Sequence, residues 1–202
     1  RLGWTVLLLL PVVLLRCRAE LRRVTARDLV LCGASGVLLA LHFLTWFESL
    51  KRTSVASSTV LVSTEVIFTA LGFALFLHGK IPRLGVWAIL LAFGGSALLA
   101  LSGGGGAGGL SGNLLALAAA SAAAVYTLIG RIQRGHLSTT VYTFLTYLAC
   151  FLTLLLGTAA AGTPLTGYGG REWLIGLALA VLCTLLGHSL FSWCLKYLSP
   201  SY

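Results

Sequence analysis

A single carboxylate, Glu65, stands near the centre of a long apolar stretch, and its position points to chemistry. The stretch covers residues 53–78, so Glu65 lies close to its midpoint. A charged side chain at the middle of a bilayer costs at least about 2.5–3.5 kcal/mol unless it faces a polar interior. Ser54, Ser58 and Thr69 share a helical face with it, at successive spacings of four, seven and four residues. The pattern predicts that Glu65 either binds a substrate or carries a proton during transport. The alternative is that Glu65 is a protonated, hydrogen-bonded carboxyl that only packs between helices.

Four further side chains are candidates for lining a polar path. His42 and His188 lie near the middle of two apolar stretches, and histidine titrates near neutral pH. Trp46 follows His42 by one helical turn, and Tyr126 adjoins the alanine-rich run 114–125, whose small residues leave room beside it. The alternatives are hydrogen-bonded packing histidines and, for the tryptophan, a place in the interfacial aromatic belt.

Other conspicuous residues favour structural roles. Glu48 precedes Arg52 by four residues, the favourable order for a helical ion pair. Ala116, Ala120 and Ala124 recur every four residues and favour close approach of two helices.

Motifs for metal, nucleotide or hydrolytic chemistry are absent from the sequence. No His-Glu-x-x-His and no Gly-x-Ser-x-Gly occurs. The glycine-rich segment 103–112 lacks a following Gly-Lys-Ser/Thr and reads as a loop. The five cysteines are odd in number and form no Cys-x-x-Cys pair: Cys17, Cys32, Cys150, Cys183 and Cys194. We therefore predict no metal, no cofactor and no enzymatic activity, with an intramembrane lipid-modifying enzyme as the less favoured alternative.

Composition identifies the solvent in which these residues must be placed. Of 202 residues, 58% are hydrophobic and 9% are charged, with a mean hydropathy of +0.97. Soluble domains carry roughly 45–50% apolar and about 25% charged residues. The composition excludes a soluble domain and a disordered chain, so the lipid bilayer is the expected surroundings. The net charge of +9 is not arranged as a basic stripe with aromatics, which argues against nucleic acid as a partner.

Seven apolar runs are candidates for membrane-spanning helices, each of which needs about 20 mostly apolar residues. They cover residues 2–15, 29–50, 53–78, 84–102, 111–130, 137–157 and 173–195. We therefore predict an all-α polytopic membrane protein.

Basic residues are distributed unevenly between the two sets of alternating loops. One set holds three cations. The other set, with the segment after residue 195, holds ten: Arg16, Arg18, Arg22, Arg23, Arg27, Lys80, Arg83, Arg131, Arg134 and Lys196. The positive-inside rule predicts that the ten-cation side, and so the C-terminal end, is cytoplasmic.

A weak internal repeat accompanies this topology. Arg27-Asp28-Leu29 returns as Arg171-Glu172-Trp173 after 144 residues, and Leu50-Lys51 returns as Leu195-Lys196 after 145. The loop count places the copies in opposite orientations, as in the inverted repeats of secondary transporters. We expect repeats over 1–102 and 113–202, separated by the loop 103–112. Completing both copies by symmetry predicts ten helices in about 280 residues, of which this chain holds about seven.

Short motifs in both repeats resemble a known family. Leu50-Lys51-Arg52-Thr53-Ser54-Val55-Ala56-Ser57, followed by Glu65 and by Leu77-His78-Gly79-Lys80-Ile81, resembles the third-to-fourth helix signature of EamA-type transporters of the drug/metabolite transporter superfamily. Leu195-Lys196-Tyr197-Leu198-Ser199-Pro200 resembles the corresponding start in the second repeat. Two departures are Val66, where the family commonly has proline, and His78-Gly79-Lys80, where it often has Leu-Gly-Glu.

The resemblance implies a carrier of small metabolites, such as amino acids, nucleosides or drugs, that works by alternating access. It also implies a bacterial inner (plasma) membrane location, with a small-molecule substrate and the lipid bilayer as partners. A channel or a membrane scaffold is the alternative. The sequence predicts neither the substrate nor the oligomeric state.

Overall fold

The computed structural model describes residues 1–79, 81–102, 109–162, 167 and 169–188. The described residues form helices and no strands, which confirms the all-α class. The helices are α1 (Leu2–Arg16), α2 (Arg18–Leu21), α3 (Ala26–Leu50), α4 (Val55–Ser63), α5 (Glu65–Phe76), α6 (Arg83–Ser102), α7 (Leu110–Gln133), α8 (Thr139–Ala160), α9 (Gly170–Leu179) and a π-helix (Ala180–His188).

Each of the seven predicted runs is helical in the part that the structure describes, which for the last run ends at His188. Five helical stretches are long and apolar enough to cross a membrane: Ala26–Leu50, Val55–Phe76, Leu110–Gln133, Thr139–Ala160 and Gly170–Gly187. Leu2–Arg16 is a shorter apolar helix, and Arg83–Gly95 is the apolar part of α6 whose side chains are all described. Large apolar side chains such as Leu15, Phe76 and Leu91 are 84%, 78% and 80% exposed, as side chains that face lipid must be. The polytopic membrane fold is therefore confirmed.

Serine side chains fix where two of these helices begin. Ser54 accepts a hydrogen bond from the backbone N–H of Ser57 at the start of α4. Ser138 does the same for Val141 at the start of α8. Each hydroxyl satisfies an amide that the first helical turn leaves without a partner. Ser54, predicted to share a face with Glu65, thus caps its helix.

The run 53–78 was predicted as one regular helix, and in the structure it is divided at Thr64. Thr64 donates to the carbonyl of Leu61 through its backbone N–H, at 3.2 Å, and through Oγ1, at 2.6 Å. In a regular helix that carbonyl serves the amide four residues later, so the threonine competes for it and tightens the turn. Ile67 N–H then bonds the Thr64 carbonyl only three residues back, at 2.9 Å. Glu65 is consequently the first residue of α5.

The run 173–195 also departs from a regular α-helix. It begins as α9, and from Ala180 to His188 it continues as a π-helix. The Thr184 hydroxyl donates to the carbonyl of Leu179, five residues back, at 3.3 Å, which follows the wider π spacing. Hydropathy does not distinguish the two helix types, so the sequence pattern could not predict this change.

The described residues form two compact units. One, called unit 1 below, comprises Arg1–Ala40 together with the described residues of Ile129–Leu198. In it α1 packs against α8. Gly36 of α3 lies so close to α8 that an added Cβ would stand 2.5 Å from both the Ala149 Cβ and the Thr146 carbonyl oxygen. Only a residue without a side chain permits this approach.

The other compact unit, called unit 2 below, comprises the described residues of Leu41–Leu128. There the segment after α3 docks on the start of α7. Gly109 N–H donates to the Arg52 carbonyl at 3.2 Å, and Thr53 Oγ1 donates to Asn113 Oδ1 at 2.9 Å. A Cβ on Gly112 would lie 2.9 Å from the Cβ of Thr53. The predicted repeats concern sequence symmetry rather than these spatial units, and they stay a prediction.

The buried face of α7 in unit 2 is built from alanine. Ala116, Ala119, Ala120, Ala123 and Ala124 are each at most 3% exposed. Small side chains let neighbouring backbones approach closely, as the four-residue spacing predicted. Polar groups on the neighbouring helices can therefore reach the backbone of α7 itself.

Candidate functional site

Glu65 is bonded across a helix interface in unit 2. Thr127 of α7 donates a hydrogen bond from Oγ1 to the Glu65 Oε1 oxygen at 3.0 Å. Thr127 is 3% exposed, so this contact lies in the interior of the unit. A carboxyl group near the middle of a membrane span is thereby held by a neutral hydroxyl rather than by a cation in this contact.

The division of the helix at Thr64 places Glu65 in the first turn of α5. Backbone amides at a helix start carry partial positive charge, which favours a carboxylate there. Thr64 itself has right-handed helical dihedral angles, so α4 and α5 form one membrane-crossing stretch, Val55–Phe76, with a tightened turn before Glu65. The local backbone and Thr127 together define where the carboxyl lies.

Thr69 lies one turn beyond Glu65 on α5, at 5% exposure. Its Oγ1 atom is buried and, within the part of the chain that the structure describes, has no hydrogen-bond partner. A buried hydroxyl without a partner costs about 1–3 kcal/mol, so it points to a ligand or water in the working protein. Thr69 and Glu65 are the two predicted site residues that lie one turn apart on the same helix.

Several other helical hydroxyls among the described residues are satisfied by their own helix. The hydroxyl donates to the carbonyl four residues back at Thr45, Thr59, Ser63, Ser121, Thr153 and Thr158. This is an ordinary arrangement for serine and threonine in a membrane helix. Thr69 and Thr127 differ from these six, because no described residue bonds the first hydroxyl and the second donates to Glu65.

His42 makes a separate polar contact with the alanine face of α7. Its ring Nδ1 lies 3.0 Å from the carbonyl oxygen of Ala119, and the side chain is 7% exposed. Because a carbonyl oxygen only accepts, Nδ1 carries the hydrogen and the tautomer is fixed. The contact matches the packing alternative for this histidine, while its predicted place on a substrate path stays a prediction.

Trp46 lies beside His42, with the ring centroids 5.8 Å apart. Phe43 and Phe47 extend this group of rings along α3, at 5.1 Å from His42 and 5.8 Å from Trp46 respectively. The Trp46 Nε1 atom is buried and has no hydrogen-bond partner among the described residues. Like the Thr69 hydroxyl, this indole N–H is available to an acceptor.

These contacts divide the predicted site residues into two groups along α7. Glu65 reaches Thr127 and His42 reaches Ala119, eight residues earlier. At 1.5 Å per residue the two contacts are about 12 Å apart along the helix axis. The acidic group of Glu65 and Thr69 is thus distinct from the aromatic group of His42 and Trp46.

The remaining predicted site residues have different surroundings. Ser58 is fully buried and accepts a hydrogen bond from Ser49 Oγ of α3 at 2.9 Å. Tyr126 is 7% exposed and directly precedes Thr127. The side chain of His188 lies outside the described residues. For all three, a role on a substrate path stays a prediction.

Thr127 was not singled out in the sequence. One signal could have identified it: it follows the alanine-rich run as one of the few polar residues of its helix. Threonine is nevertheless common in membrane helices, where it usually bonds its own backbone. Its partner 62 residues away could not be inferred from sequence spacing.

Arg134, one of the ten counted loop cations, lies in the turn between α7 and α8, and its effect on topology stays a prediction. It is 5% exposed, and its guanidinium carbon lies 5.3 Å from the centroid of the Tyr142 ring in unit 1. A planar, weakly hydrated guanidinium can stack on an aromatic face, which makes burial feasible. Topology counts treat all cations alike and cannot detect such a contact.

Glu48 forms the ion pair that its spacing predicted. Its carboxylate bonds Arg52 at 2.7 Å and Lys51 at 3.0 Å, at the exposed end of α3. Glu65 differs from Glu48, since its partner is the hydroxyl of another helix rather than a cation.

Among the described residues, no three of the types His, Cys, Asp and Glu are grouped as a metal site requires.

Comparison with known proteins identifies the family. The model of the EamA-like transporter family matches residues 1–101 and 110–202, on either side of the glycine-rich loop. No curated protein matches the chain. Because the two matched segments cover nearly all of its length, the chain belongs to the EamA-like transporter family of integral membrane proteins.

Proposed function

We propose that this transporter is a secondary carrier of small metabolites, such as amino acids, nucleosides or drugs, and that it works by alternating access. The observation that carries the proposal is the Glu65 carboxyl, held by Thr127 within a membrane span. A carboxyl in that position is costly to maintain, so such residues generally mark ion or substrate pathways.

In the proposed mechanism, Glu65 binds either a donor group of the substrate or a proton, and these compete for the same oxygens. The unpartnered Thr69 hydroxyl supplies a further polar contact one turn away. Substrate and proton bind and leave on opposite sides of the membrane, so the carboxyl must be accessible from one side and then from the other. The predicted inverted repeats provide two states of similar energy for this alternation.

We also propose a bacterial inner membrane location with the C-terminal end in the cytoplasm. The five arginines between α1 and the start of α3 support this orientation, because all are exposed: Arg16, Arg18, Arg22, Arg23 and Arg27. Exposed cations next to membrane helices favour the cytoplasmic side.

The test is solute exchange by the purified protein in proteoliposomes. A panel of radiolabelled amino acids, nucleosides and sugars, with and without an imposed pH gradient, identifies an exchanged solute. Glu65→Gln removes the charge while preserving the size of the side chain, and we expect it to abolish pH-driven exchange, a loss of at least about a hundredfold.

Glu48→Gln is the matched control, since it removes a carboxylate from an exposed ion pair and should leave exchange intact. Retained pH-driven exchange in Glu65→Gln would eliminate the coupling role. Steady single-channel conductance in a planar bilayer, without saturable exchange, would instead favour a channel.

A further inference from the structure

We infer that Thr127 is a positioning residue for Glu65, which partners the carboxyl in both of its protonation states and releases it when a substrate donor takes its place. The inference rests on the proposed role of Glu65. It extends the site to α7, a helix of the other predicted repeat, and it assigns the Glu65–Thr127 hydrogen bond a part in the transport cycle.

The first argument is that a hydroxyl has a single hydrogen. Ser121, six residues earlier on the same helix, uses its hydrogen to bond the Leu117 carbonyl at 2.9 Å. Thr127 donates its hydrogen to Glu65 Oε1 instead, at 3.0 Å. A backbone carbonyl is an alternative acceptor in every turn of a helix, so at Thr127 the carboxyl takes the bond that the backbone takes at Ser121.

The second argument concerns the rigidity of the contact. Gly72 of α5 faces the Leu128 side chain of α7, and a Cβ on the glycine would overlap the Leu128 Cδ1 atom. Glu65 and Gly72 are seven residues apart, two turns of α5, so they lie on the same face of that helix. The two helices are therefore in close contact next to the hydrogen bond, which confines Thr127 to a narrow range of distances from Glu65.

The third argument is chemical. Toward a carboxylate the Thr127 hydroxyl donates a hydrogen bond, whereas toward a carboxylic acid it can rotate and accept a hydrogen bond from the acid O–H. A hydroxyl is thus a partner for either form, which a lysine or arginine would not be. This property suits a carboxyl that must exchange a proton or a substrate ammonium group during each cycle.

The fourth argument concerns connectivity. Glu65 lies in the predicted first repeat and Thr127 in the predicted second repeat. A substrate donor that takes the Oε1 oxygen competes with Thr127 for it, so its binding there releases the bond between the two segments. Thr127 thereby links occupancy of the carboxyl to the contact between α5 and α7.

The test measures the protonation of Glu65 directly and does not require a known substrate. Dicyclohexylcarbodiimide reacts with protonated carboxyls in apolar surroundings: the acid proton moves to a nitrogen, the carboxyl oxygen bonds the central carbon, and the adduct retains all atoms of the reagent. Labelling of the Glu65 peptide is measured by mass spectrometry in Thr127→Val, in Thr127→Ser and in the wild-type protein, with Glu65→Gln as the blank.

Valine at position 127 lacks the hydroxyl that donates to the charged form of Glu65, so we expect a larger fraction of Glu65 to be protonated in this variant. We expect Thr127→Val to raise the initial labelling rate about tenfold at mildly alkaline pH, as loss of one hydrogen bond to a charged group implies. Thr127→Ser retains the hydroxyl and should label at the wild-type rate. Ser121→Ala, a change on the same helix that removes only a backbone contact, should also leave the rate unchanged.

A Thr127→Val rate equal to that of the wild type would overturn the inference, and so would a serine variant that behaves like valine. Gel-filtration profiles of the variants establish that each is folded. With an exchanged solute identified, Thr127→Val should lower kcat with the serine variant restoring it. If Glu65→Gln leaves exchange intact while the labelling pattern is as expected, the proposed role of Glu65 in transport fails, and only the positioning of its carboxyl by Thr127 stands.

Discussion

The two compact units differ in the polar side chains that lie inside them and in the partners of those side chains. In unit 1 several are joined in pairs that tie helices together. Gln133 donates to Asp28 Oδ1 at 3.1 Å, and the hydroxyls of Ser35 and Tyr142 lie 2.7 Å apart. Arg134 lies over the same tyrosine ring at 5.3 Å. These partners are at helix ends and contacts, so the polar groups of unit 1 primarily define which helices meet.

In unit 2 a carboxyl lies within a membrane span, bonded by the Thr127 hydroxyl. Buried polar atoms without a partner among the described residues occur in both units: Thr69 Oγ1 and Trp46 Nε1 in unit 2, and Trp4 Nε1 and Thr143 Oγ1 in unit 1. Unit 2 differs because its Thr69 hydroxyl lies one turn from a carboxyl within a membrane span, so one ligand could bond both groups. We therefore expect unit 2 to hold the ligand site.

We expect the largest effect at the close contact between α3 and α8 in unit 1. We expect Gly36→Ala to lower the free energy of unfolding by at least about 1–3 kcal/mol, because the new methyl group overlaps the backbone of α8. Denaturant titration in detergent micelles, followed by tryptophan fluorescence, measures the change. Gly33→Ala on the same helix is the control, since nothing lies within 4 Å of its added Cβ. Equal stability of the two variants would contradict the tight α3–α8 contact.

A second pair of variants compares equivalent hydroxyls in the two units. Thr69 and Thr143 are both buried with Oγ1 unpartnered among the described residues, at 5% and 3% exposure. We expect Thr69→Val to reduce exchange about tenfold, the loss of one substrate hydrogen bond, without lowering stability. Thr143→Val should leave exchange unchanged. If both variants impair exchange equally in proteoliposomes, the division of roles between the units is wrong.

A smaller effect is expected at the tyrosine of unit 1. Tyr142→Phe removes the hydrogen bond to Ser35 but preserves the ring, so the free energy of unfolding should fall by about 1 kcal/mol. Exchange kinetics should be those of the wild type. A double-mutant cycle with Ser35→Ala isolates the pair, and a coupling energy of zero would show that the contact contributes nothing. Altered exchange would bring unit 1 into the transport site.

The smallest effect is expected at the exposed ion pair of α3. Glu48→Gln should not measurably change unfolding or exchange at physiological ionic strength, because solvent and salt screen its contacts with Arg52 and Lys51. Melting curves at low and high salt provide the check. A clear loss of stability or of exchange at either salt concentration would show that the ion pair at the exposed end of α3 contributes to one of them.

Much of the fold follows from hydropathy alone. An apolar run is expected to be helical in lipid because its backbone polar groups have no other partners, and the described parts of all seven runs are helical. The division at Thr64 and the change to a π-helix at Ala180 escaped prediction. Both depend on local competition for backbone carbonyls, which leaves the hydropathy of a run unaltered.

The site was predictable only in part. Glu65 is conspicuous because charge is rare in such a run, and the face it shares with Thr69 follows from helical periodicity. Thr127 could not be predicted, since its significance arises from a contact between distant segments. Arg134 is a second example: counting loop cations could not predict that its guanidinium packs on the Tyr142 ring.

The separation of Glu65 and Thr127 by 62 residues has a consequence for how the chain is made. When α4 and α5 reach the membrane during translation, α7 has not been synthesised. At about 5–20 residues per second, the partner hydroxyl follows roughly 3–12 s later. Until then the carboxyl enters lipid alone, at a cost of about 2.5–3.5 kcal/mol that the apolar neighbours Val66, Ile67 and Phe68 must offset. The composition of this helix is thus constrained by the moment of its insertion as well as by the finished transporter.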